Sequence, residues 1–253
     1  MKVLITGASS GIGKDFAYEF AKQKYQLILV ARDKNKLEKV REDLTKKYSA
    51  NVKCIYIDLE NEKNCFDLYE KERDIDILIN NAGFGDYGFF DETDIDKDLA
   101  MIRTNIIAVH ILSKLYLKEM KKRNSGKILN VASIAGFLPG PLMATYYATK
   151  NYVVKLSEGI REELKKEKSK VQISILCPGP VKTNFNNVAN VKFEIRSLSS
   201  DYVANYAIKK LLKGKFYILP GFDIKVLKFL SKIVPTKLLS HFTYYTQKKK
   251  SDK

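Results

Sequence analysis

Histidine and cysteine are scarce in this chain, and their scarcity closes several chemistries at once. Only His110 and His241 occur among 253 residues, far apart in sequence, so a histidine metal site or a serine-histidine triad has little to work with. The cysteines, Cys54, Cys65 and Cys177, are odd in number and lack CxxC spacing. Neither a disulfide framework nor a zinc site is expected, and a reducing cytoplasm fits best. No apolar run reaches the roughly 18 residues that a membrane-spanning helix needs. The amino terminus passes from Met1-Lys2 straight into a short apolar strand with no signal-peptide core or cleavage site, so secretion is not expected. Acid is also in short supply, 29 acidic residues against 45 basic ones, for a formal charge of +16. Such a charge can attract nucleic acid or anionic lipid. Here the lysines are spread through nearly every helix without an aromatic-basic stacking motif, which predicts a solvated surface and no nucleic-acid partner.

What is present is a core: 45% of the residues are hydrophobic, enough for one large α/β domain. Apolar runs at 2–6, 26–32, 52–58, 76–80, 127–131, 171–177 and 216–219 read as seven strands. Segments of helical period separate them, beginning with Ile12, Phe16 and Phe20 on one face and Leu37, Val40 and Leu44 on the next. Connections too long for hairpins predict a parallel sheet with helices on both faces, and ligands at the carboxyl ends of the strands. The helix expected from Asp94 to about Arg123 is apolar around most of its circumference between Leu99 and Leu117, which predicts cover on a second side by another subunit.

Gly7-Ala8-Ser9-Ser10-Gly11-Ile12-Gly13 turns the first strand into the first helix. Free N–H groups and the positive helix end there make a seat for a pyrophosphate: Gly7 for the tight turn, Gly11 for close approach, Gly13 for helix packing. A tight turn without a ligand is the competing reading. At the end of the second strand an acid would bind a ribose 2′-hydroxyl and an arginine a 2′-phosphate; Arg32 and Asp33 are adjacent candidates, with Asp33 equally suited to cap the next helix. Tyr146 and Lys150 stand four apart on an expected helix, so the phenol and ammonium can project side by side. The charge would lower the tyrosine pKa and make a general acid or base usable near neutrality. Ser133 leaves the fifth strand towards the crevice, and Asn105 is a polar side chain in an apolar helix, readable also as an ordinary core asparagine.

From Lys2 to Gly221 these residues resemble, in unbroken order, the short-chain dehydrogenase/reductase family. Thr6 to Gly13 matches its dinucleotide turn, Asn80-Asn81-Ala82-Gly83 its fourth-strand signature, and Pro178-Gly179 with Val181 and Thr183 its nicotinamide-side loop. Asn105, Ser133, Tyr146 and Lys150 fall on its catalytic tetrad. The resemblance implies a Rossmann-type, doubly wound α/β domain over 1–221, with a substrate-covering loop at 184–199. It implies a carbonyl reductase, or alcohol dehydrogenase in reverse, in which Tyr146 moves the proton, Lys150 lowers its pKa and binds ribose, Ser133 orients the carbonyl and Asn105 holds a relay water. Asp58 and Leu59 would lie near the adenine, with Asn81, Ala82 and Gly83 as the wall beneath it. Arg32 favours NADP(H) over NAD(H). A homodimer or homotetramer is implied, along with a small carbonyl or alcohol substrate. The competing class is a silent dinucleotide-binding sensor or scaffold, whose usual mark is loss of the tyrosine or lysine. Ser133 to Pro141 and Ile233-Val234-Pro235 also resemble a bacterial branch of these reductases, with no particular substrate implied.

Residues 222–253 form a basic extension. Ile224, Leu227, Leu230 and Val234 recur at helical spacing with Lys225, Lys228 and Lys232 on other faces, and Leu238, Leu239 and Phe242 follow Pro235. Packing against the domain is expected ahead of contact with an anionic membrane surface.

Overall fold

Strand and helix alternate as their apolar periods predict in the computed structural model, which describes residues 1–183, 185, 189 and 197–248. The first half runs β1 (Lys2–Thr6), α1 (Gly11–Lys22), β2 (Gln26–Ala31), α2 (Lys34–Tyr48), β3 (Val52–Tyr56), α3 (Glu62–Lys71), β4 (Ile77–Asn80) and α4 (Ile95–Ile102). A π-helical turn (Arg103–Ala108) leads into α5 (Val109–Lys122), β5 (Lys127–Val131), a 3-10 turn (Ile134–Phe137) and α6 (Ala144–Lys166). Then come β6 (Gln172–Leu176), β7 (Val181–Lys182), β8 (Leu198–Ser199), α7 (Ser200–Leu212), β9 (Tyr217–Ile218), α8 (Phe222–Ile233) and α9 (Thr236–Lys248).

Seven strands pair in the order β3-β2-β1-β4-β5-β6-β9, every neighbour parallel, and β7 and β8 form a separate small ladder. A strand buried on both faces sends alternate side chains to opposite cores. Accordingly Val3 and Ile5 pack with Phe16, Leu37 and Val203 of α1, α2 and α7, whereas Leu4 packs with Leu68, Leu112 and Val153 of α3, α5 and α6. Each fully buried side chain of this kind contributes about 1.5–3 kcal/mol. The chain order reverses at β1 and β4, and the loops after β1, β4, β5 and β6 leave from the same edge of the sheet.

A buried polar network pins the second helical layer to the sheet. Asn80 Nδ2 donates to Asn130 Oδ1 at 2.9 Å and to Ser113 Oγ at 3.0 Å, and Asn130 Nδ2 donates to Ser157 Oγ at 3.0 Å. These bonds join β4, β5, α5 and α6, so the helix that carries Tyr146 and Lys150 is fixed against the strand that precedes Ser133.

Two expectations need revision. The helix expected over 94–123 begins with Asp94 capping the Asp96 N–H at 2.9 Å, but it contains the π turn, which brings Asn105 inwards. Its apolar girdle is partly covered: Met101, Val109 and Leu112 are buried, Ile102, Ile106, Ile107, Ile111 and Leu115 half-buried, and Leu99 exposed. The tail is two helices rather than a helix and a patch, because Pro235 follows the extended Val234 and α9 starts at once behind it. Most of the segment 184–199, including Val188, Val191, Phe193 and Ile195, lies outside the described residues, as do Lys249 and Lys250.

Candidate active site

Backbone shapes the first wall of the crevice. Gly7 and Gly11 adopt positive φ, +66° and +52°, where a side chain would be strained. A Cβ on Gly13 would overlap the Gly7 carbonyl oxygen, so helix and turn touch only because Gly13 lacks one. Asn81 Nδ2 donates to Thr6 O at 3.0 Å and to Gly7 O at 3.3 Å, and Thr6 Oγ1 accepts both the Asn81 and the Ala82 N–H at 3.0 Å. Asn81 and Ala82 thus brace the glycine turn from the end of β4. Ser10 sits at the N-cap position of α1, yet its side chain makes no capping bond. The first-turn N–H groups therefore remain available to an anion, as a pyrophosphate requires. Ser9 is half-buried and Ile12 packs into the core. Thr183 closes over the turn, with its methyl 3.1 Å from where a Gly11 Cβ would lie.

At the end of β2 the side chains divide the two roles left open. Asp33 is the N-cap of α2, accepting from the Lys36 N–H at 2.9 Å. Arg32 is exposed and reaches across to β3's exit loop, where its Nη1 donates to Glu60 at 2.7 Å and to Asp58 at 3.4 Å. One terminal nitrogen is engaged, and the guanidinium carries five donors in all. Glu60 had no signal in the sequence. Leu59 is buried beside Asp58.

The second wall is built from side chains. Lys150 is buried, its Nζ donating to Val131 O at 3.0 Å and lying 5.8 Å from the centre of the Tyr146 ring. Ser133 Oγ accepts the Ala135 N–H at 3.2 Å, caps the 3-10 turn, and lies 3.5 Å from Pro178 O. It also hydrogen-bonds the Tyr146 phenol. Asn105 Nδ2 donates to Phe84 O at 2.8 Å and Thr149 Oγ1 at 3.1 Å, while Oδ1 accepts the Phe84 N–H at 3.1 Å. The bare Cα of Gly83 lets Asn105 Oδ1 and Lys150 Nζ approach closely, 2.7 and 3.3 Å from the position a Cβ would take.

The electrostatics correct one expectation. Burial pushes the Tyr146 phenol up rather than down, opposed only by the Ser133 hydrogen bond, and burial lowers Lys150 to about 8. Four-residue spacing places the ammonium 5.8 Å from the ring centre, and desolvation sets the direction of the shift. Tyr147, the competing phenol, is committed elsewhere: it accepts a hydrogen bond from Gln247 Nε2 of α9. Tyr87 donates to the Gln247 carbonyl at 3.4 Å. Phe185 packs on Tyr146 with ring centres 5.3 Å apart, and Met143 and Ala189 are buried in the same cluster. Next to it lies a cavity of about 360 Å³ lined by Tyr87, Gly88, Phe89, Glu92, Leu142, Tyr244 and Lys248. Gly179, on the loop after β6, is covered by Ile224 of α8. Gln247 and Tyr87, separated by 160 residues, left no local pattern to find.

Known proteins resemble this chain in sequence and in fold. A family model described as short chain dehydrogenase matches residues 1–192. The very-long-chain 3-oxoacyl-CoA reductase of Anas platyrhynchos is 35% identical over 202 residues, 76% of this chain and 63% of that protein. The chain therefore spans less than two thirds of that relative's length. The NADP-dependent 3-hydroxy acid dehydrogenase of Schizosaccharomyces pombe is 37% identical over 193 residues, 74% of this chain and 73% of that one. Among solved structures, a short-chain dehydrogenase from Sphingobium yanoikuyae in complex with NADPH superposes with a TM-score of 0.85 at 28% identity, covering 94% of this chain and 95% of the other. With a family model that matches residues 1–192 and a solved short-chain dehydrogenase that superposes over 94% of it, this chain belongs to the short-chain dehydrogenase family.

Proposed function

We propose that the chain is an oxidoreductase that reduces a ketone or aldehyde, or oxidises the corresponding alcohol, with NADP(H) preferred and NAD(H) accepted. The observation that carries this reading is the meeting of Tyr146, Ser133 and Lys150 at the carboxyl ends of the strands, facing a glycine turn whose helix start is uncapped. The turn fits a dinucleotide: its glycines leave room, and Arg32 offers unengaged donors at the place of a 2′-phosphate. The NADP-dependent and NADPH-bound relatives support that preference.

Bound there, the nicotinamide would supply hydride to the carbonyl carbon. The Tyr146 phenol, held protonated by burial, donates its proton to the oxygen as negative charge develops. Ser133 is the second donor and fixes the oxygen's direction. Lys150, near the balance point of its own titration at pH 8, favours the phenolate that Tyr146 leaves behind. Asn105, locked by Phe84 and Thr149, meets Lys150 at the bare Cα of Gly83, where a proton can be passed back by way of a water.

The apolar cluster of Met143, Tyr87, Tyr147 and Phe185 suits a substrate whose carbonyl carries an apolar chain. The relatives named for 3-oxoacyl and 3-hydroxy acid substrates support the same class. The half-covered strip along α4 and α5 supports self-association into a dimer or tetramer.

The test is a panel of ketones, aldehydes, 3-oxoacyl thioesters and 3-hydroxy acids, scored by reduced-cofactor absorbance with both dinucleotides. Tyr146→Phe should lower turnover by about 10²- to 10⁴-fold while NADPH binding is unchanged. Wild-type turnover in that variant refutes the assignment.

A further inference from the structure

α8 and α9 each turn one face to the domain and leave an apolar stripe outside it. Ile224 of α8 is buried on the loop after β6, and Lys228 lies against the faces of Tyr217 and Phe137, 3.2 and 5.4 Å from the ring centres. Leu239, Thr243 and Gln247 of α9 are buried in the same way. Packing is thus complete without Phe222, Val226, Phe229, Leu230 and Ile233, all of which are exposed, Phe222 at 79% and Phe229 at 62%. At about 100° per residue these five fall within an arc of about 100°. On α9, Leu238, Phe242 and Tyr245 repeat the pattern, 61%, 61% and 52% exposed. Eight large apolar side chains on two consecutive helices therefore face solvent, in stripes rather than as scattered single residues.

Base accompanies the exposed stripe in the same sense on both helices. Lys225 and Lys232 border it on α8, and Lys237 and His241 occupy the equivalent flank of α9. Between Phe222 and Lys248 the chain holds five lysines and one acid, Asp223. A second copy docked face to face would set lysine against lysine with Asp223 as the one acid to answer them. An apolar stripe with a cationic border is the pattern of a helix lying in a lipid headgroup layer. Among the described residues no helix is long and apolar enough to cross a membrane, so contact would lie in the plane of the surface.

We propose that the outward face of α8 and α9 docks on an anionic lipid bilayer surface. The buried and outward faces use different residues, so packing and membrane contact are not alternatives. The docking helices are also those that cover the crevice: Gln247 bonds Tyr147, and Tyr244 lines the adjoining cavity.

The chain contains no tryptophan, which gives a direct test. Phe229→Trp places a single reporter on the stripe, and Phe66→Trp places one on α3, where the exposed phenylalanine has no such flank. With vesicles of mixed phosphatidylserine and phosphatidylcholine, Phe229→Trp fluorescence should shift to the blue and Phe66→Trp should not. In sedimentation of the full chain, Phe229→Glu with Ile233→Glu should weaken binding at least about tenfold, the equivalent of about 1.4 kcal/mol, with the melting temperature and NADPH affinity retained. Lys225→Gln and Lys232→Gln should each weaken it about fivefold, corresponding to about 1 kcal/mol per surface lysine. An unshifted Phe229→Trp spectrum on vesicles that bind the chain, or no binding to anionic vesicles at low salt, overturns the proposal. So does a fall in molecular mass by light scattering in the glutamate variant without vesicle binding, which would make the face a subunit interface.

Discussion

The two ends of the crevice are built by different means. At the dinucleotide end the shape is made by backbone: Gly7 and Gly11 at positive φ, Gly13 pressed on the Gly7 carbonyl, and Asn81 tied to both Thr6 and Gly7 through main-chain oxygens. At the substrate end it is made by side chains from distant parts of the chain, with Tyr87, Tyr147, Phe185 and Gln247 meeting around Tyr146. A backbone-built site admits few residue types at each position. A side-chain-built one can be assembled in many ways, and this leaves the substrate end free to vary while the hydride chemistry stays in place.

Gly13→Ala strikes the backbone-built end hardest. Its Cβ has no flexible neighbour to displace, since the nearest atoms are a carbonyl and the braced Asn81 amide. Overpacking of this kind costs about 1–3 kcal/mol, and each kcal/mol lowers Tm by about 2–4 °C in a domain of this size. Thermal melting should show that loss, and NADPH titration should show binding abolished. Unchanged binding would mean the turn is not the pyrophosphate seat.

Arg32→Asp is the next largest effect and separates charge from shape at the same end. Removing one charge-assisted partner costs about 1.5–3 kcal/mol, so NADPH affinity should fall by at least about tenfold with NADH affinity held or improved. Equal losses for the two would make Arg32 a structural partner of Glu60 and Asp58.

The smallest effect belongs to the substrate end. Gln247→Leu leaves the Tyr147 hydroxyl, in a site that pushes its pKa up to about 12, without its donor. A stability loss of about 1–3 kcal/mol is expected by chemical denaturation, with KM for the carbonyl altered and NADPH affinity unchanged. A matching loss of cofactor affinity would erase the distinction between the two ends.

Residues 2–22 are legible in the sequence because a short apolar run, a glycine turn and a helix of period 3.6 are local patterns, and the positive φ of Gly7 and Gly11 is a local demand. The Tyr146 and Lys150 pairing is legible for the same reason. The sign of the Tyr146 shift is not, since it depends on how much water Phe185 and the helix α9 exclude. Nor is the π turn at Asn105, whose inward bonds to Phe84 and Thr149 exist only once α6 and the loop after β4 are in place. The tail shows the same limit: Ile224, Leu227, Leu230 and Val234 recur at helical spacing, yet Ile224 is buried and Leu230 is 37% exposed.

What the sequence by itself determined is the alternation of strands and helices, the glycine turn and the order of the polar residues at the strand ends, because hydrophobic period and backbone sterics act between near neighbours. The tertiary structure alone decided which faces of α8 and α9 are covered, which acid holds Arg32, and whether Tyr146 keeps its proton. Burial and charge depend on what other parts of the chain bring to a place.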